Sequence, residues 1–245
     1  MRKNKNFNLL IGSQLFSVLG TTIVQFVISL YVLDITKSAL TFSVIASLSI
    51  VGRLICLPFC GVLADRLPKR NLMLLMDCLY LILSIGLFLV TRLENPVTAI
   101  GILTVIIGMV SAFETPVVQS AIPIICKEEE IPRANGIISS IGTLGTVLGP
   151  ILAGIIYRFD AVYQIFMITA ALFLIAIFCE VLLNIPVQAQ AAMDGTLFQV
   201  VVGDLKEVAN YLKAQKVIVK VAAVAFLLNF FLASFIQVII PYVSR

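Results

Sequence analysis

The sequence predicts an all-α membrane protein: a bundle of six spanning helices, a polar linker carrying an amphipathic helix, and a seventh spanning helix. Three observations lead there. Of the 245 residues, 60% are hydrophobic and only 12% are charged, against about 45–50% and about 25% in a soluble domain. So little charge cannot coat a water-facing surface of this size. The 17 Lys+Arg and 13 Asp+Glu cluster between apolar runs of about 20 residues, the length that crosses a bilayer as a helix. The basic residues among them fall mostly on one side of the resulting topology.

Taken in order, the apolar runs are Leu9–Leu33, Leu40–Ala64, Leu72–Thr91, Val97–Ile124, Gly136–Phe159, Ala161–Ile185 and Val217–Val243. The first follows Met1-Arg-Lys-Asn-Lys and could imitate a signal peptide. It is too long for one and has no small-residue cleavage site before Leu33, so a retained first helix is expected. Short connections among the first six runs force up-down neighbours. Placing the N-terminus in the cytoplasm puts Arg2, Lys3, Lys5, Arg66, Lys69, Arg70, Lys127, Arg133, Lys206, Lys213, Lys216 and Lys220 inside. Only Lys37, Arg92, Arg158 and Arg245 then fall outside, which satisfies the positive-inside rule.

The expected units are therefore 1–185, the six-helix bundle; 186–216, a cytoplasmic central loop; and 217–245, a seventh helix opening a second bundle. The loop starts with Gln188, Gln190, Asp194 and Gly195. It then repeats Leu197, Val201, Leu205, Val208 and Leu212 opposite Asp204, Lys206, Glu207 and Lys213, the pattern of a helix lying on the membrane surface.

Several functions are excluded or demoted. The chain has no histidine, which removes the commonest metal ligand and catalytic base and any Ser-His-Asp or Cys-His arrangement. It has no G-x-x-x-x-G-K-[ST] phosphate loop. Cys56, Cys60, Cys78, Cys126 and Cys179 form no C-x-x-C pair and read as small apolar residues. No enzyme, metal or cofactor is expected. A net charge of +4 is too small and scattered for a nucleic-acid partner.

After the second run comes Gly61-Val-Leu-Ala-Asp65-Arg66-Leu-Pro-Lys69-Arg70. This resembles the major facilitator superfamily signature G-x-L-a-D-R-x-G-R-[KR], with Gly61, Leu63, Asp65, Arg66, Lys69 and Arg70 in register and Pro68 replacing the usual glycine. Physically, Gly61 would let a neighbouring helix approach. Asp65 would sit at a helix N-terminus, and the bases would hold the loop in the cytoplasm.

The fifth run carries Gly136, Gly145, Gly149, Pro150 and Gly154, which is similar to the exporter signature G-x8-G-x3-G-P-x2-G-G with Ala153 as its one departure. At 100° per residue, Gly142, Gly145, Gly149 and Ala153 fall within roughly 80°, a smooth stripe for close helix contact. Pro150 crowds the carbonyl of Thr146 and should kink the helix. An ordinary packing face is the competing account of this stripe.

The spans end alike at Gly61-x-x-x-Asp65-Arg66 and Gly154-x-x-Tyr157-Arg158, an echo expected of two inverted three-helix repeats. Ile131-Pro-Arg-Ala-Asn135-Gly136 and Asp204-Leu-Lys-Glu-Val-Ala-Asn-Tyr-Leu212 resemble the branch holding macrolide-efflux and siderophore-export proteins. The resemblance implies secondary-active export of an amphiphilic small molecule by alternating access, with proton antiport.

The first helix presents Gln14, Ser17, Thr21 and Gln25 as one polar stripe, and the fourth presents Thr104, Gly108, Ser111 and Thr115 with Glu114 at its flank. Such stripes face protein or a water-filled cavity. In the family the first and fourth helices line the cavity, so Gln14, Ser17, Thr21, Gln25, Ser111 and Thr115 are binding candidates; plain interhelical hydrogen bonding is the alternative.

Arg53 and Glu114 each lie about 12 residues from the cytoplasmic end of their helix, roughly 18 Å deep. Equal depth suggests an ion pair, either structural or involved in proton coupling. The fourth helix lacks the arginine that drug exporters of the family often carry, so coupling does not follow from motif. Asp77 is a secondary candidate, expected to pair with the loop's bases, while Asp34 and Glu180 are expected at wetted boundaries.

The family's transporters have two six-helix halves. This length accommodates six spans plus one, so a second six-helix half, on missing sequence or a separate chain, is the expected partner besides substrate, protons and lipid. The alternative is an incomplete, non-transporting fragment or assembly half.

Overall fold

In the computed structural model, which describes residues 5–157, 162–186, 197–215 and 217–228, the first five helices outlast the apolar runs that predict them. The first unit, Met1–Ala192, contains α1 (Lys5–Thr36), α2 (Ala39–Arg66), α3 (Lys69–Val90), α4 (Val97–Ile125), α5 (Ile131–Tyr157) and α6 (Val162–Val181). All six are long and apolar enough to cross a membrane. Apolar counting finds only the part of a helix inside hydrocarbon. With 32 residues, α1 is about 48 Å long, well beyond a hydrocarbon core of about 30 Å, and its polar ends extend past it.

Local chemistry sets the breaks. After Thr36, Lys37 takes a left-handed φ of 51°, and its N–H donates to the Leu33 carbonyl at 2.8 Å, which closes the helix. The Ser38 hydroxyl then accepts from the Thr41 amide at 3.2 Å, an N-cap that starts α2. A 3₁₀ turn at Glu128–Glu130 leads into α5, whose second residue, Pro132, needs no amide donor in the first turn. α5 runs unbroken through Pro150, and Pro58, Pro116 and Pro123 sit inside α2 and α4.

α6 ends at Val181, short of the expected Ile185. Arg70 closes it, its Nε donating to the Glu180 carbonyl at 3.1 Å and an Nη to that of Val181. Asn6 then holds the next segment by donating to the Asn184 carbonyl at 2.7 Å and accepting the Asn184 amide at 3.3 Å. Pro186 further disfavours helix at its approach.

Helix neighbours obey the inverted repeat. The contacts α2 with α4, α1 with α6, and α1 with α2 map onto α5 with α1, α4 with α3, and α4 with α5 when helices 1–3 are exchanged for 4–6; α3 with α6 maps onto itself. The core lies where these pairs meet. Tyr80 stacks on Phe173 with ring centroids 5.2 Å apart, and Phe173 fills the space a side chain at Gly20 would need.

The second unit, Met193–Arg245, contains α7 (Leu197–Ala214) and an apolar helix α8 (Val217–Leu228). Leu205, Val208 and Tyr211 on α7 are exposed. Several expectations fall outside the described residues: Arg2, Lys3, Arg158, Lys216 and Arg245 of the charge count, Phe159 and Ala161 at span ends, Gln188, Gln190, Asp194 and Gly195, and residues 229–243.

Candidate functional site

Two glycine crossings shape the bundle. A Cβ on Gly52 would collide with the backbone carbonyl of Val105, and one on Gly108 with that of Ser49, so α2 and α4 touch backbone to backbone. At the repeat-related crossing of α5 and α1, Gly145 lies on Val18 and Gly149 on Thr22, with Ala153 fully buried nearby. The α5 stripe therefore packs on α1 within this bundle. Gly61, Gly136, Gly142 and Gly154 meet nothing within 4 Å among the described residues. The close helix approach expected at Gly61 occurs instead at Gly52, which no signature marked.

Between these crossings lies a cavity of about 430 Å³, typical in size for a small-molecule site. Gln14, Thr21 and Gln25 of α1 line it, as do Ser111, Glu114 and Thr115 of α4 and Arg53 of α2. Asn135, Ser139, Gly142 and Thr146 of α5, Thr22 of α1 and Gln119 of α4 complete its polar wall; stripe counting on the first and fourth helices passed over them. A second cavity of about 340 Å³ shares Thr22, Gln25 and Thr146 and adds Ser29, Ser49 and Thr104.

Four expectations need correction. Ser17 is not on the cavity wall: its hydroxyl donates to Asp77 Oδ1 at 2.6 Å, in the buried interface of α1 and α3. It stands at the edge of the stripe, where about 60° of helix rotation from Gln14 is enough to face a different neighbour. Asp77 accordingly pairs with that serine and not with the basic loop. Glu180 is 1% exposed, where a wetted boundary position was expected, because the C-terminal end of α6 is covered; Asp34 is exposed and accepts from the Tyr157 hydroxyl.

The fourth correction concerns Arg53 and Glu114. They share the cavity but form no salt bridge within 4.0 Å. Counting from helix ends put them at equal depth. The glycine crossing and the Ser120–Ala64 hydrogen bond place Arg53 level with Met109, which leaves Glu114 about five residues, or roughly 7 Å, further along. Glu114 Oε1 is enclosed and has no hydrogen-bond partner.

The basic loop has a structural role that charge counting did not reveal. Lys69 Nζ donates to the Ala64 and Asp65 carbonyls at the end of α2, while Arg70 caps α6. Cations at helix C-termini satisfy orphan carbonyls and oppose the helix dipole. Asp65 is exposed, and its carboxylate accepts no hydrogen bond among the described residues. Leu63 and Arg66 are half-buried at the same helix end.

A family model for the Major Facilitator Superfamily matches residues 10–245. Macrolide efflux protein A of Streptococcus pyogenes is 26% identical over 147 residues, covering 60% of this chain and 36% of that protein. The bacillibactin exporter of Bacillus subtilis is 29% identical over 158 residues, covering 62% and 39%. Macrolide efflux protein A of Enterococcus faecalis is 26% identical over 119 residues, covering 47% and 37%. The alignments thus span little more than a third of these relatives' length. Since the family match runs through all six apolar helices and the inverted repeat they build, this chain is a multi-pass membrane protein belonging to the Major Facilitator Superfamily.

Proposed function

We propose that the six-helix unit works as the N-terminal half of a secondary-active exporter in the cell membrane, its N-terminus cytoplasmic. It would move amphiphilic small molecules, macrolide-type compounds among them, by alternating access against a second six-helix half. The observation that carries this reading is the cavity: polar side chains from α1, α4 and α5 converge on it, with Arg53 and Glu114 among its lining residues. Charge inside a span is costly, about 2.5–3.5 kcal/mol on insertion scales, and marks function by default. The efflux names of the relatives support the direction of transport, and the Lys/Arg distribution supports the orientation.

Proton antiport is part of the proposal, with Glu114 as the group that binds and releases the proton. Arg53, across the cavity, favours release when water screens it least. The test is efflux of a radiolabelled macrolide from cells expressing this chain joined to a second six-helix half. Active, proton-driven efflux that Glu114→Gln abolishes is the expected result. Undiminished coupling in Glu114→Gln overturns the role of Glu114, and no efflux from any such pairing overturns export.

A second reading is an assembly half without activity of its own. The open surroundings of Gly61, Gly136 and Gly154 favour it. Accumulation of the chain as a stable species that binds no macrolide, alone or with a second half, would distinguish it.

A further inference from the structure

Among the described residues of this bundle, the buried polar atoms that lack a partner are Asp77 Oδ2, Tyr80 Oη, Glu114 Oε1 and Glu180 Oε2. Two of them belong to buried carboxyl groups of one interface: Asp77 on α3 and Glu180 on α6 are 2% and 1% exposed. Their helices are joined by the Tyr80–Phe173 stack and the Thr169–Ser84 hydrogen bond, and the two side chains come close enough to interact. Ser17 of α1 donates to the other oxygen of Asp77. No Lys or Arg comes within 4.0 Å of either carboxylate among the described residues.

We propose that Ser17, Asp77 and Glu180 form a buried proton-binding site, in which one carboxyl donates a hydrogen bond to the other across the α3–α6 interface. Two ionised carboxylates in one dry site repel each other and lack both water and a counter-charge. A shared proton removes one charge and turns the facing orphan oxygens into a donor and an acceptor. Neither residue lines either of the two cavities, and one hydroxyl with two carboxyls supplies too few ligands for a bare metal ion.

The surroundings do not neutralise the pair by other means. On α3 the nearby titratable groups are Cys78 and Tyr80; α6 adds Cys179, and α4 adds Glu114, another acid. Of the cations at this end, Arg70 is engaged with the carbonyls of Glu180 and Val181 and Lys69 with those of Ala64 and Asp65. Tyr80 follows Asp77 by three residues, on the same face of α3, and its hydroxyl is a further buried atom without a partner among the described residues. The site is separate from the proposed export cavity and does not depend on export.

The test is infrared difference spectroscopy of the purified full chain in lipid nanodiscs at neutral pH. Wild type should show a protonated-carboxyl C=O band that shifts on deuteration. Asp77→Asn and Glu180→Gln should each remove about one carboxyl equivalent of it or move it, while Ser17→Ala should shift it without loss. Glu114→Gln identifies any contribution from the cavity acid. A band unaltered by all three variants of the site, or no band, overturns the proposal. So does a band present in choline chloride and erased by sodium chloride at the same pH, which would assign the site to a metal cation. Should Asp77→Asn not fold, Glu180→Gln and Ser17→Ala decide it.

Discussion

Gly52 of α2 rests directly on the backbone carbonyl of Val105 in α4. A side chain there has no flexible neighbour to displace, so the two helices themselves must separate. Gly52→Ala and Gly108→Ala should each destabilise the bundle by about 1–3 kcal/mol, the usual cost of overpacking. Gly61→Ala, nine residues further along α2 with open space around it, should change stability by less than about 0.5 kcal/mol. Thermal unfolding in detergent reads this, and equal losses at Gly52 and Gly61 would contradict the crossing.

The α5 signature divides in the same way. Gly145→Val and Gly149→Val should loosen the α1–α5 interface, because Val18 and Thr22 occupy the space a side chain needs. At Gly136 and Gly154 a side chain would meet nothing within 4 Å among the described residues, so Gly136→Ala and Gly154→Ala should leave the bundle intact. Cysteine cross-linking between α1 and α5 would report the difference. Unchanged cross-linking in Gly149→Val would refute the packing role.

These examples show what was legible in the sequence. The six spans of the first unit and the helical class follow from hydrophobicity, which acts along the chain and needs no partner. The cavity wall on α1 and α4 was largely readable, since a polar stripe in lipid must face something other than lipid. What was hidden depends on which helix stands opposite. Ser17 shares its stripe with Gln14 and Thr21 yet faces α3. Arg53 and Glu114 match in depth when counted from helix ends, but the Gly52–Gly108 crossing shifts the register. Gly52 itself belongs to no signature, although the pairing of a glycine in the second helix with Gly108 in the fourth offered a weak hint of close contact.

Arg70 bridges the start of α3 to the end of α6 through two main-chain carbonyls. An ammonium group lacks the planar fork that reaches both. Arg70→Lys should therefore free the α6 terminus, with a stability loss of about 1 kcal/mol after allowing for its partial exposure. Hydrogen exchange should accelerate locally at residues 181–185 and not at the Gly52 crossing. A uniform change, or none, would count against the cap.

Cavity residues should affect ligand and not fold. Gln25 and Ser111 line the cavity from α1 and α4, and neither is needed to hold those helices together: the Ser111 hydroxyl bonds only to the Gly108 carbonyl of its own helix. If the cavity takes the exported compound, Gln25→Leu and Ser111→Ala should weaken macrolide binding by about 3- to 10-fold each, the worth of about one neutral hydrogen bond, with thermal stability unchanged. Ser140→Ala is the matched control, since Ser140 is exposed on α5 and bonds to its own helix at Gly136. Equilibrium binding of a radiolabelled macrolide to the chain paired with a second half reads all three. The same loss in Ser140→Ala would show that the effect arises from α5 or from general perturbation, and would move the binding site away from this wall.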